Sequence, residues 1–180
     1  EGYAGMKSST GRITPPVPHK GVPLSELVAL VGGLRADEGV TVIAADGYGM
    51  TLSNKQVGGD GLVTYDPATG AEVAPDTPLT VMLAYEREGK PLGEDEGPLR
   101  LVAAQPEMGQ VIDGHWTVKW VAGVEVKEET PPWRVALQGA VSTRIDRGTY
   151  INCASPGCHG SGYIDADERR WEGIPLYLVC

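Results

Sequence analysis

The chain has 180 residues and no phenylalanine, and its 25 glycines and 14 prolines are spread among apolar runs. That pattern points to many turns and short strands rather than a helical bundle, and favours a folded chain over disorder. A net charge of −9 makes a surface that repels phosphate backbones, so no nucleic-acid partner is expected. No stretch approaches the roughly 18 apolar residues of a membrane helix. Three cysteines crowded at the C-terminal end rule out a disulfide-built scaffold.

In chain order, Glu1 to Lys20 is rich in Gly, Ser, Thr and Pro and predicts a loop. Residues 22–31 predict a helix, with Pro23 in its first turn, an apolar face of Leu24, Leu27, Val28 and Val31, and a stop at Gly32-Gly33. Val40–Ala45 predicts a buried strand, Asp46-Gly47 a turn, and Tyr48–Leu52 the returning strand of a hairpin. Residues 58–78 form a Gly/Asp/Pro-rich excursion with a short strand at Leu62–Tyr65. Strands follow at Leu79–Tyr85, Pro98–Ala103 and Thr117–Val126, with a turn at Gly89–Leu92. Arg100 lies inside an apolar run and requires a partner from the acidic turn Glu94–Glu96. Lys127–Pro132 predicts a linker, Trp133–Gly139 a further strand, and then comes a cysteine-bearing loop. Gly21-Val-Pro-Leu24 recurs as Gly173-Ile-Pro-Leu176, each downstream of a tyrosine loop, which predicts a repeated unit.

Five markers in order carry a family resemblance: Gly21-Val-Pro-Leu24, Asp46-Gly-Tyr48, Leu83-Ala-Tyr-Glu-Arg-Glu-Gly-Lys-Pro-Leu92, Gly97-Pro-Leu-Arg-Leu-Val102 and Val118-Lys-Trp-Val121. With them the chain resembles the oxidoreductase molybdopterin-binding domain family. The resemblance implies an α+β, sulfite-oxidase-like fold of mixed, mostly antiparallel sheets with a few short helices. It implies a first unit over residues 1–126, a linker at 127–132, and the start of a second, truncated unit at 133–180. The chain is then expected to be a fragment of an oxidoreductase that binds molybdopterin and molybdenum, itself inactive. Residues 133–180 are expected to complete the first unit within the chain or by exchange with a neighbouring copy. The alternatives are a cofactor-free module of a repeat protein, expected to have no cavity beside Met6, and a haem- or metal-carrying electron-transfer module.

The resemblance also implies the site. The family binds molybdenum through one cysteine thiolate, a soft ligand suited to that metal, and Cys153 occupies that place in the second unit. Counted from the tyrosines, Met6 holds the same place in the first. Lys119 is a candidate contact to the pterin phosphate, although strand alternation would turn it to solvent and Trp120 to the core. His115 and Trp116 are expected in an exposed loop. By residue type alone, Cys153-Ala-Ser-Pro-Gly-Cys158-His159 leaves three other readings open. These are a disulfide between Cys153 and Cys158, a lengthened haem-attachment site with His159 axial, and a zinc site completed by Asp165 or Cys180.

Overall fold

The computed structural model describes residues 1–75, 77–128, 134–138, 143–146, 150 and 160–175. The segment expected to be loop instead forms two antiparallel strands, β1 (Gly2–Lys7) and β2 (Ile13–Pro23). Their register slips between Ala4 and Met6, and Gly5 sits in the slip. A Cβ on Gly5 would stand 2.6 Å from the Thr14 carbonyl oxygen, with Pro15 and Pro16 as close behind. Prolines cannot donate to a ladder, and a bulge is where a paired strand accommodates them.

The expected helix is shorter than its apolar spacing suggests. Helix α1 (Leu24–Ala29) begins after Pro23, which is its cap, and buries Leu24 and Val28. Gly32 and Gly33 both take positive φ, and the Gly33 N–H bonds the Val28 carbonyl at 3.0 Å, the predicted stop. Val31 falls outside the helix and is 74% exposed, so it does not belong to the apolar face.

The hairpin β3 (Glu38–Ala44) and β4 (Gly49–Leu52) forms as read, with Gly47 at φ 88° and the Tyr48 N–H on Asp46 Oδ1 at 2.9 Å. Helix α2 (Asn54–Val57) opens on a Ser53/Gln56 capping box. The excursion carries β5 (Thr64–Tyr65) and β6 (Glu72–Val73). It is followed by β7 (Thr80–Arg87), β8 (Lys90–Pro91), β9 (Arg100–Ala104) and β10 (Val111–Asp113). The strand expected from Thr117 starts four residues later, as β11 (Val121–Glu128), because Trp120 takes a left-handed φ of 47°. Lys127 and Glu128 therefore finish a strand instead of opening a linker.

Strands β6-β5-β10-β1-β2-β7-β8 lie side by side, with β9 on β7, in an eight-stranded sheet. β1 and β10 run parallel, while β1 with β2 and β2 with β7 run antiparallel. Tyr3 and Gln105 exchange backbone hydrogen bonds of 2.8 and 3.0 Å, tying β1 to the end of β9. So β1, β2, β7 and β9 curl towards a ring. A second sheet, β11-β3-β4, packs its apolar side with α1 against the outside of that curl. Leu24, Val40, Val42, Met50 and Leu101 are wholly buried there. Full burial of each such side chain contributes roughly 1.5–3 kcal/mol.

Beyond Glu128, β12 (Arg134–Leu137) pairs with β13 (Thr143–Asp146), and β14 (Ser161–Ile164) pairs with β15 (Arg170–Gly173). Both are separate two-stranded ladders. Asp165 closes the second by accepting from the Asp167 and Arg169 N–H groups. Gly173 ends β15 as Gly21 lies near the end of β2. The described chain is thus mostly strand in mixed, mainly antiparallel sheets with short helices, an arrangement compatible with α+β.

Candidate functional site

A cavity of about 640 Å³ opens at one end of the curl, with Ala4, Met6 and Val102 among its lining. Arg12, Arg87, Arg100 and Lys119 line it, against two carboxylates among the described residues, Asp95 and Glu96. On a chain of net charge −9 this is a local reversal of sign.

Arg100 finds the partner its apolar surroundings demand. Its Nη1 donates to Glu96 Oε2 in a close ion pair, and Arg87 Nη1 donates to Glu96 Oε1 at 3.3 Å. Arg100 is 8% exposed and Glu96 6%. Burial pushes the Glu96 carboxyl up, but the hydrogen bonds and charges of Arg100 and Arg87 outweigh it, so Glu96 titrates below its ordinary range.

Lys119 and Trp120 hold the turn that presents Glu96. Lys119 Nζ donates to the Asp95 carbonyl at 3.1 Å, Trp120 Nε1 to the Glu94 carbonyl at 2.8 Å, and the Trp120 N–H to the Glu96 carbonyl at 3.2 Å. This overturns the expected alternation. Lys119 lines the cavity and Trp120 is 40% exposed, because a left-handed residue breaks the period-2 pattern of a strand. The neighbouring expectation also fails. Trp116 lies in a 3-10 turn at Gly114–Trp116 and is 6% exposed, and His115 Nδ1 pairs with Asp113 Oδ1 at 2.8 Å.

Met6 sits in the cavity wall with Arg100 Nη2 donating towards its sulfur at 3.6 Å. The Thr117 hydroxyl, which donates to the Gly114 carbonyl at 2.8 Å, lies 3.8 Å from the same sulfur. The cavity beside Met6 is the opposite of what a cofactor-free module was expected to show.

Sequence reasoning did not find His19, Arg12 or Arg87. His19 hid in the segment read as loop; it is 6% exposed on β2, opposite Arg87 in the ladder with β7. Its Nδ1 lies 2.9 Å from the Val17 carbonyl. A carbonyl only accepts, so Nδ1 carries the hydrogen and Nε2 is the acceptor of the neutral ring. Burial pushes its pKa down, and the Arg100 and Arg87 charges add to that against the Val17 bond.

Of the residues named from sequence, Lys119 reaches the cavity, whereas Cys153, Cys158 and His159 lie outside the described residues. Among the described residues no three His, Cys, Asp or Glu side chains gather as a metal site.

A family model of the oxidoreductase molybdopterin binding domain matches residues 5–135. The match begins just before Met6, takes in every cavity residue named above except Ala4, and ends in β12. The chain therefore belongs to the oxidoreductase molybdopterin-binding domain family. No curated protein and no solved structure matches it.

Proposed function

We propose that this chain is a sulfite-oxidase-like domain that binds molybdopterin in the Met6 cavity. The observation that carries the reading is the concentration of Arg12, Arg87, Arg100 and Lys119 around one cavity of an otherwise acidic protein. A volume of about 640 Å³ lies in the range of sites for small organic ligands. Guanidinium groups suit the phosphate arm of the pterin, because their planar forks match its oxygens two at a time. Arg12 and Lys119, the cations given no carboxylate partner among the ion pairs described, would hold that arm. Arg100 stays fixed by Glu96 at the cavity wall.

The donor set fits the pterin and its phosphate but not the metal. Met6 offers a neutral thioether where the family uses a charged thiolate, and its sulfur already faces a guanidinium. A protein ligand to molybdenum has to come from elsewhere, and Cys153 is the residue whose place in the sequence suits it. When bound, the cofactor supplies oxygen-atom or electron transfer. The chain's own contribution is to bind and orient an anion in a cationic pocket.

Protein produced in a molybdenum-replete host tests this by metal content and by pterin fluorescence after oxidative release. Pterin near one per chain is expected, falling at least tenfold in the Arg12→Ala/Lys119→Ala double variant. Molybdenum, but not pterin, is expected to fall in Cys153→Ser. Protein that carries no pterin from such a host would overturn the reading.

A further inference from the structure

We infer that the cavity takes up a tetrahedral oxyanion group together with one proton, which His19 accepts at Nε2. The inference rests on the reading of the cavity as an anion site and adds how its occupancy depends on pH. His19 stands in the cavity wall with its Nδ1 hydrogen held by Val17, so the only atom it can protonate is Nε2. Arg87 from β7 and Arg100 from β9 act on the ring, with Glu96 of the acidic turn as their counter-charge. With the cavity free of an anion, Arg87 and Arg100 share Glu96, Arg87 also reaching Glu88 at 3.5 Å, and burial together with their charges holds the pKa of the ring down.

An anion among Arg12, Arg100 and Lys119 offsets the part of that depression that comes from the guanidinium charges, by cancelling positive charge where the ring is held. The imidazole then gains a proton from water, and the new cation attracts the anion in turn. The two binding events are linked and each strengthens the other.

A second cavity supplies the route. It measures about 350 Å³ and shares His19 with the first, and Glu1, Tyr3, Lys20 and Glu86 are on its other walls. Lys20 is drawn off by Glu1 at 3.5 Å, so the water on that side meets the ring with little added positive charge. His19 thus stands between a cationic anion pocket and a solvent cleft. Both a free oxyanion and the phosphate arm of a pterin present the chemistry concerned.

Sulfate is the probe, since its charge is constant between pH 5.5 and 8. Calorimetric titration in buffers of different ionisation heat is expected to show net proton uptake on sulfate binding near pH 7. Affinity should then rise by up to about tenfold for each unit that the pH falls towards 6, and lose this dependence in His19→Gln. In case that variant folds poorly, the imidazole of His19 is followed by NMR in the wild-type chain, where saturating sulfate should move its titration midpoint upward.

Sulfate binding without proton uptake and without movement of that midpoint overturns the inference and leaves the pocket standing. Absence of sulfate binding in the pterin-free chain, when the same chain still takes up pterin, overturns it too, while absence of both removes the pocket reading as well. If coupling is found, competition by loaded pterin identifies the phosphate arm as the natural source. Coupling that survives in pterin-loaded protein identifies a free oxyanion.

Discussion

On β7 and β9, alternate residues serve two different surroundings. Val81, Leu83, Leu101 and Ala103 enter the core shared with α1 and the β11-β3-β4 sheet, whereas Met82, Ala84, Val102 and Ala104 pack with Ala4 inside the curl. The outer side is filled by large branched side chains from two sheets. The inner side mixes Ala4, Ala84 and Ala104 with Met82 and Val102, a smaller apolar set suited to the inside of a tight curl, and it gives way at one end to Met6, His19 and the arginines. One face therefore supplies stability, and the other gives up apolar burial to hold a charged cavity. The lesson is that a period-2 strand can separate the two tasks residue by residue.

Changes that ought to act on one face alone test this division. The largest effect is expected from Leu101→Ala, which empties a wholly buried position. Urea unfolding should show a loss of about 4 kcal/mol, with anion affinity in the surviving folded protein unchanged. Glu96→Gln comes next, at about 3 kcal/mol, because it strips the shared carboxylate from two guanidinium groups, one of them buried. Unlike the core variant, it should also tighten sulfate binding, and weaker binding would show that Glu96 positions the arginines more than it neutralises them.

Ser53→Ala removes the capping box of α2 on the core side and should cost about 1 kcal/mol by the same measurement. The smallest change is Glu88→Asn in the turn between β7 and β8, where Glu88 holds a φ of 53°. Asn tolerates that conformation better, so a gain of about 0.5 kcal/mol is expected.

Acid separates the faces as well. Glu96 titrates below its ordinary range in the folded chain, so its contribution is complete above that range and is lost as the pH falls through its folded value. His19 is also depressed, so the unfolded chain binds its proton first, and stability falls as the pH drops from about 6.5 through the folded value. Unfolding followed between pH 7 and 5 should show this earlier loss in the wild type, little of it in His19→Gln, and its relief by sulfate.

Much of the outer face was legible. Leu79–Tyr85 and Val40–Ala45 read as strands because β-branched runs bounded by Gly, Asp and Pro have few other ways to be buried, and Gly32-Gly33 marked the end of α1. Arg100 was legible as a buried charge in want of a carboxylate, and Glu96 answers it. The cavity was less so. Pro15 and Pro16 made β1 and β2 read as loop, since a bulge that excuses two prolines depends on the partner strand. That misreading hid His19 and Arg12, and strand alternation misplaced Trp120.

The sequence by itself determined the family, the strand-rich character, the hairpin turns and the need to pair Arg100, because each rests on local composition or on the order of short motifs. Only the tertiary structure decided that β1 returns to β9, that four cations from distant segments line one cavity with Met6, and that a buried His19 joins them in its wall. Those features depend on sheet register and chain closure, which bring residues 12, 19, 87, 100 and 119 together although nothing in their local sequence relates them.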